Sequence, residues 1–265
     1  MAERELEGFP ERLYSPLLEA VRAIREKGVE VTLVGGLAVY LLSRRLPPTS
    51  GKLDDPATLG SIARGTEDID LAVARKDAAP AESYLRALGY QRLKQELPRF
   101  ERAGVVVDVL PLGGRRAEGG EFTIPIDSLA GQPAELRGVT IRVATCAELL
   151  VLKAVAWSDR HEDDDLADIG TLALIDQIQG GLARRALEEG LEGRLREDLR
   201  RDLRRAAIVF DRPDARGPGA FVREVITSRA TAEQPVGVDD WEEVVRAMVS
   251  DAVRVVLSGC IANEG

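Results

Sequence analysis

Apolar and polar positions alternate most regularly in residues 63–73, which read ARGTEDIDLAV. Ile69 and Leu71 are separated by one polar residue, and this two-residue period predicts a β-strand. Successive strand side chains point to opposite faces of a sheet, so Asp68 and Asp70 should share one face. Two neighbouring carboxylates repel each other unless a cation or a proton lies between them. The stretch therefore predicts either a cation site or an acidic strand face exposed to water.

The residues before this strand predict the order helix, strand, glycine pair, helix. Apolar residues recur at helical spacing between residues 10 and 27, and residues 29–34 are typical of a buried strand. Gly35 and Gly36 end that strand, and LAVYLLSRR resumes a helical pattern. Such glycines let the backbone approach a ligand closely, and the free N–H groups of a helix start favour an anion such as phosphate. A tight turn without a ligand is the more common use of a glycine pair.

A second apolar strand, residues 105–110, carries a single acid, Asp108. A carboxylate is costly to bury without compensation, so Asp108 needs an arginine partner, a metal ion or a place at the mouth of a cleft. Between the two acidic strands the pattern predicts a helix at 79–88 and weaker strands at 90–96 and 99–102. The acids of both strands are therefore candidates for one site.

The rest of the chain changes from predicted strands to predicted helices. Residues 113–145 are rich in glycine and predict short strands, with a turn at Arg137-Gly138. Helices are then predicted over residues 146–160, 161–178, 182–210, 220–228 and 239–257. We therefore expect an α+β domain over residues 1–145, with a mixed sheet flanked by helices, and a helical domain over residues 146–265 that completes the cleft.

The composition is that of an ordinary globular protein. The 265 residues are 45% apolar, and a net charge of −9 argues against a surface coated with nucleic-acid-binding charge. No apolar run is long enough for a membrane helix, so we expect a cytoplasmic protein without membrane contact. Cys146 and Cys260 lie far apart, which argues against a disulfide framework or a zinc site. Lys153 is conspicuous because it lies in a predicted apolar helix of a chain with only five lysines.

Three acids near a glycine pair and a helix start favour a site for divalent ions and a nucleoside triphosphate. Oxygen ligands suit Mg²⁺, which proteins bind through a few carboxylates together with substrate phosphates. Two such ions can stabilise the attacking and leaving oxygens of an in-line displacement at phosphorus. We therefore expect Asp68, Asp70 and Asp108 to hold two Mg²⁺ ions, with Mn²⁺ as the alternative ion.

These motifs resemble those of the nucleotidyltransferase superfamily, which includes DNA polymerase β, CCA-adding enzymes and aminoglycoside nucleotidyltransferases. VGGLAVYLL, ARGTEDIDLAV and VVVDVL look like its glycine signature, paired acids and third acid. The chain is more similar still to the AbiEii-like and MenT-like toxins of toxin–antitoxin systems, which carry RxTxDxD and a later lysine-bearing helix. Residues 64–70 match the first motif. The second motif is matched by Lys153, Arg160, Asp165 and Asp168.

The resemblance covers about residues 31–169 and implies a nucleotidyltransferase fold. It implies transfer of a nucleoside monophosphate from a triphosphate to an acceptor hydroxyl, with release of pyrophosphate. The implied acceptor is RNA, at the 3′ end of tRNA, and the implied partner is a cognate antitoxin. The implied catalytic residues are Asp68, Asp70, Asp108, Lys153 and Asp168. The implied nucleotide-binding residues are Gly35, Gly36, Arg64, Thr66 and Lys153.

Two features depart from the superfamily pattern. Leu37 follows the glycine pair where many members have Ser, and residues 46–62, a predicted surface loop, lengthen the chain between the glycines and the acids. A phosphate contact normally made by that hydroxyl then has to come from backbone N–H groups or from another residue. Lys153 also has a plainer explanation, as a lysine at the edge of a packing helix whose ammonium reaches water.

Two other functions stay open at this point. The same fold could transfer the nucleotide to a small molecule or a protein side chain, which the acidic net charge favours. The chain could instead be a nucleotide-binding protein without catalysis, although the presence of all three acids argues against this reading.

Overall fold

The computed structural model describes residues 11–44, 66–94, 98–113, 126–212, 214–229 and 241–261. The described residues divide into two units, each with its own internal contacts. The first unit consists of described residues within 11–38 and 66–145, and the second of those within 39–44 and 146–261.

The first unit is built on a mixed β-sheet. The strands are β1 (Val31–Val34), β2 (Asp68–Val73), β3 (Gln91–Arg92), β4 (Arg99–Arg102), β5 (Val105–Pro111), β6 (Gln132–Leu136) and β7 (Val139–Val143). They pair in the order β3-β4-β5-β2-β1-β7-β6. β2 runs parallel to β5 and β1 runs parallel to β7, while the other neighbours are antiparallel. The predicted α+β class with a mixed sheet is confirmed.

Two helices cover one face of this sheet. The helices that begin in the first unit are α1 (Glu11–Arg25), α2 (Gly35–Arg44) and α3 (Ala78–Ala87). α1 contacts β1, β2 and β5, and α3 contacts both α1 and β5. Arg102 of β4 donates to Glu19 of α1 and to the carbonyl oxygen of Leu88, just after α3. Because strand side chains alternate, Arg99 lies on the opposite face of the sheet from Arg102.

The second unit is helical. Its helices are α4 (Cys146–Arg160), α5 (Asp163–Ile178), α6 (Leu182–Glu188), α7 (Glu197–Ile208), α8 (Arg216–Arg229) and α9 (Trp241–Ile261). α5 is the central element, since it contacts α4, α6, α8 and α9. Every residue of α5 from Asp165 to Asp176 is buried. A helix surrounded in this way needs apolar residues on all sides, and its polar residues need partners within the unit.

The helix predicted over residues 182–210 was wrong, because two helices occupy this stretch. Between α6 and α7, Gly190, Leu191, Glu192 and Gly193 all have positive φ, from 51° to 86°. Arg194 then donates a 2.8 Å hydrogen bond to the fully buried carboxylate of Glu148 on α4. The left-handed turn and this buried ion pair end α6 where the local sequence pattern alone favours its continuation.

The glycine pair also differs from its prediction. Gly35 and Gly36 are the first two residues of α2, so no separate turn joins β1 to the helix. The turn predicted at Arg137-Gly138 is present between β6 and β7, with φ of 44° and 75°. The strand predicted over residues 90–96 is confined to Gln91–Arg92 among the described residues.

Some predictions fall on residues that the structure does not describe. The predicted loop at 46–62 and Arg64 lie outside the described residues. Among the helices that are described, none is both long enough and apolar enough to cross a membrane.

Candidate functional site

The three predicted acids come together on one face of the sheet. Asp70 of β2 lies directly opposite Asp108 of β5 in the parallel pair. Asp68 is two residues before Asp70 on the same strand, so its side chain points to the same face. Ile69 and Val107, which point the other way, are fully buried. Burial of the alternate apolar positions thus fixes the acids on the face opposite α1 and α3.

Gly35 brings the start of α2 against the second acid. Its φ is +69°, a conformation that residues with a side chain rarely adopt. A Cβ atom at this position would lie 1.8 Å from Oδ2 of Asp70, so only glycine fits here. Val34, just before it, is the register partner of Asp70 in the antiparallel β1–β2 pair. The close approach predicted for the glycine pair therefore serves the carboxylate of Asp70.

A guanidinium group lies between the other two acids. Arg99 of β4 donates from Nε to Oδ1 of Asp108 at 2.9 Å and from Nη2 to Oδ2 of Asp108 at 2.8 Å. The same Nη2 donates to Oδ2 of Asp68 at 3.1 Å. Two carboxylate oxygens from neighbouring strands thus converge on one cationic nitrogen. Of the three partners open to Asp108 from its sequence, the structure shows the arginine.

Burial and the neighbouring charges shift the pKa values of Asp68 and Arg99. Burial raises the pKa of Asp68, and the negative charges of Asp108 and Glu67 act in the same direction, while Arg99 acts against them. The pKa of Arg99 is raised, first by its hydrogen bond with Asp108 and also by the charges of the other acids. The carboxylate of Asp68 therefore favours a bound proton or a bound cation.

The donor chemistry of the site fits a hard divalent ion. Carboxylate oxygens are the ligands that Mg²⁺ and Mn²⁺ prefer, and the site already holds one cationic group at two of its three acids. Throughout the described residues, however, no three His, Cys, Asp or Glu side chains stand in an arrangement ready to hold a metal ion. The guanidinium of Arg99 occupies the position where Asp68 and Asp108 converge.

Arg99 was missed in the sequence, although a local signal was present. β4 and β5 are joined by Ala103 and Gly104, both with positive φ, at 52° and 76°. A two-residue hairpin turn of this kind fixes the register, and it places Arg99 opposite Asp108. Pairing the residues on either side of the turn one by one, from Arg102 with Val105 outward, places Arg99 opposite Asp108.

Thr66 and Gly36, which were also predicted to bind the nucleotide, lie near the starts of β2 and α2. Thr66 is buried, and its hydroxyl donates to the backbone oxygen of Asp68 at 3.3 Å. It therefore shapes the chain at the start of β2. Gly36 lies in the first turn of α2, and Leu37 is fully buried.

The lysine-bearing helix forms a second group of charges, within the helical unit. Lys153 of α4 lies 3.2 Å from Oδ1 of Asp165 and 2.5 Å from Oδ2 of Asp168, both on α5. Arg160 makes two 2.8 Å hydrogen bonds to Asp165. The Lys153 side chain is only 7% exposed, so it does not extend into water as the plainer explanation requires.

Asp165 is the central acid of this group, although Asp168 was the predicted site residue. Burial alone would raise the pKa of Asp165, but the hydrogen bond from Arg160 and the charge of Lys153 more than offset this, and the pKa is lowered. Asp165 lies in the run of acids at the start of α5, which is usually a solvated face, so composition gave no sign that one member is buried.

Comparisons with known proteins find only solved structures of low similarity. No protein-family model and no curated protein matches the chain. A solution structure of the antibiotic-resistance factor ANT(2″)-Ia matches 69% of this chain and 96% of its own length, at 15% identity and a TM-score of 0.42. A crystal structure of ANT(2″)-Ia in complex with adenylyl-2″-tobramycin matches 64% of this chain and 98% of its own, at 13% identity and a TM-score of 0.42. The functional conclusion therefore rests on the residues of the site.

Proposed function

We propose that this protein is a metal-dependent nucleotidyltransferase, which moves a nucleoside monophosphate from a nucleoside triphosphate to an acceptor hydroxyl. One observation carries the proposal. Carboxylates from two parallel strands share one sheet face, and oxygens of Asp68 and Asp108 converge on a single cationic nitrogen. A site that gathers acids around a positive charge suits a reaction in which charged phosphates meet divalent ions.

Asp68, Asp70 and Asp108 are the residues that would hold the metal, as two Mg²⁺ ions or their Mn²⁺ equivalents. When bound, such ions neutralise the phosphate charge that builds up during the transfer. Gly35 fixes the position of Asp70, because its missing side chain leaves room for that carboxylate. The chain thus contributes a rigid acidic surface, built on strands, that sets where the reacting phosphate lies.

The reaction forms one bond and breaks another at the α-phosphorus. The acceptor hydroxyl oxygen attacks that phosphorus, and the bond to the oxygen of the β-phosphate breaks, so pyrophosphate leaves with its electron pair. The hydroxyl proton passes to Asp108 or to water. Backbone N–H groups at Gly35 and Gly36, together with Arg64 and Thr66, are the proposed contacts of the triphosphate.

Lys153 is proposed as a further phosphate contact, with Asp168 as its positioning residue. The carboxylates of Asp165 and Asp168 on α5 fix the position of the Lys153 ammonium. A fixed position is what a specific contact with a phosphate requires. A compact ammonium is suited to neutralising charge on a transferred phosphate. The same contacts also serve packing of α4 on α5, so stability and activity have to be measured together.

For the acceptor we propose an RNA hydroxyl, at the 3′ end of tRNA, with a toxin role and a cognate antitoxin as partner. This choice is supported by the motif that spans residues 64–70 and by the lysine-bearing helix. A small molecule or a protein side chain is the second candidate, favoured by the net charge of −9, which repels a polyanion.

The test is transfer of label from each α-labelled triphosphate, with Mg²⁺, to total tRNA, to a protein extract and to small hydroxyl compounds. Label in tRNA supports the full proposal, whereas label only in protein or small molecules overturns the RNA acceptor. Asp70→Asn should lose about a thousandfold or more of the activity. Glu30→Gln makes the same charge change at a side chain that is 89% exposed and should retain activity. Absence of label in every acceptor overturns nucleotidyl transfer.

A further inference from the structure

We propose that Arg99 is a built-in counter-ion of the candidate metal site, which holds Asp68 and Asp108 together and has to be displaced before a divalent ion binds. This inference rests on the proposed function, because it concerns the same three acids. Arg99 would therefore set how tightly the protein binds metal, without itself being a metal ligand.

The contacts of Arg99 show that it competes for the same atoms as a metal ion. Its Nη2 bonds Oδ2 of Asp68 at 3.1 Å and Oδ2 of Asp108 at 2.8 Å. A divalent ion held by these acids would need the same oxygens. The guanidinium and the ion cannot both occupy the point where the two oxygens converge.

The two acids differ in how firmly they hold Arg99. Asp108 accepts one hydrogen bond at each of its two oxygens, a bidentate pairing typical of strong arginine–carboxylate pairs, and its side chain is only 4% exposed. Asp68 accepts one longer bond and is 34% exposed. Water can therefore replace Arg99 at Asp68 at lower cost. We infer that displacement begins at Asp68.

Competition of this kind lowers the apparent affinity for metal. When the binding-competent state is only a fraction of the population, the dissociation constant rises by the inverse of that fraction. If Arg99 leaves the oxygens available for about a tenth of the time, metal binding weakens about tenfold. A triphosphate that brings its own bound metal supplies the extra attraction that displaces the guanidinium, so metal and nucleotide would bind together.

Mn²⁺ alone, without nucleotide, is the probe of choice, and its binding to the full chain is measured by electron paramagnetic resonance. Arg99→Gln should bind Mn²⁺ about tenfold or more tightly than the wild type. Arg99→Lys keeps the charge but loses the two-pronged hydrogen bonding, so its affinity should rise about threefold. Arg102→Gln is the matched control, because it removes the same charge from the same strand on the face toward α1, and it should leave affinity unchanged.

The added change Asp70→Asn should abolish the tight binding of Arg99→Gln and so locate the ion at the three acids. Equal affinity of the wild type and Arg99→Gln, with binding still lost in Asp70→Asn, overturns the role of Arg99 and leaves the proposed function intact. Binding of Mn²⁺ by none of the variants, Arg99→Gln included, overturns the role of Arg99, and transfer of label from the triphosphates then decides the proposed function separately. If Arg99→Gln does not fold, Arg99→Lys decides, and wild-type affinity in that variant overturns the inference.

Discussion

At Gly35 the backbone of α2 passes close to the carboxylate of Asp70. The start of α2 can pass this close to β2 only because residue 35 lacks a side chain. Two costs would follow from any substitution here, one from the positive φ and one from the collision with the carboxylate. The two costs can be separated by comparison with Gly28, which has a φ of +79° but no atom within 4 Å of the point where a Cβ would lie.

Gly35→Ala should lower the free energy of unfolding by about 2 to 4 kcal/mol, and Gly28→Ala by only about 1 kcal/mol. The difference reports the collision with Asp70, since both positions carry a similar backbone strain. Urea unfolding followed by circular dichroism measures both values. Equal losses in the two variants would contradict the close contact at Asp70.

At the scale of elements, α4 and α5 are joined through a buried set of charges. Lys153 lies between Asp165 and Asp168, and Arg160 bonds Asp165 from a half-exposed position. Removing one member of a buried ion pair leaves an uncompensated charge in the core, which costs more than removing an exposed partner.

Lys153→Met should therefore lower the free energy of unfolding by about 3 to 5 kcal/mol, whereas Arg160→Gln should cost about 1 kcal/mol. Methionine has a similar length and fills the space of the lysine stem, so the measured loss reports the charge. Thermal and chemical unfolding give the stabilities. If Lys153→Met is as stable as the wild type while nucleotidyl transfer is lost, the lysine serves the substrate alone.

The lowered pKa of Asp165 makes the stability of the protein depend on pH. The folded state binds fewer protons at this group than the unfolded state, so its contribution is complete above about pH 4, the ordinary aspartate pKa, and is lost as the pH falls further. Asp165→Asn should show a shallower loss of unfolding free energy between about pH 5 and pH 3.

Asp176 provides a control of opposite sign. Burial raises its pKa, so the folded state binds protons more readily there and the group adds stability as the pH falls. Asp176→Asn should therefore steepen the acid-induced loss. Parallel pH profiles of the wild type and both variants would contradict these two assignments.

Elements with strong local patterns could be predicted from the sequence, and contacts set by distant residues could not. The strand predicted at 105–110 is observed at Val105–Pro111, and the helix predicted over 146–160 is Cys146–Arg160. In both, apolar side chains repeat with a clear period. β4 is observed at its predicted residues, Arg99–Arg102, but its pairing with β5 depends on the two-residue turn at Ala103 and Gly104, which was not predicted, so the partner of Asp108 was missed.

The burial of individual charged side chains also could not be predicted from the sequence. Asp165 follows the half-buried Asp163 and the exposed Asp164 at the start of α5, and only the contact of α5 with α4 shows that it is buried. The left-handed turn at residues 190–193 depends on Arg194 reaching Glu148, which is 46 residues away in the chain. Local pattern has no information about such distant partners.

At the scale of the whole molecule, the net charge of −9 bears on the choice of acceptor. An acidic protein binds RNA only through local basic contacts with phosphates, and these weaken as salt rises. A small neutral or cationic acceptor lacks this dependence on phosphate contacts.

If the acceptor is tRNA, its KM should rise about tenfold or more between about 50 and 200 mM salt, since each phosphate contact releases a counterion when it forms. Steady-state transfer at a series of salt concentrations measures this, and the KM of the triphosphate in the same series is the reference. A tRNA KM that does not change with salt would contradict phosphate-mediated RNA binding.

The position of Arg99 in the chain has a consequence for the order of folding. Arg99 and Asp108 are nine residues apart, whereas Arg99 and Asp68 are 31 residues apart. A hairpin closes in about 1 to 10 μs, earlier than strands that are distant in sequence can pair. We therefore expect Asp108 to acquire its counter-ion before β2 joins the sheet. Arg99 thus lets Asp108 enter the core during folding without ever being buried as a bare charge.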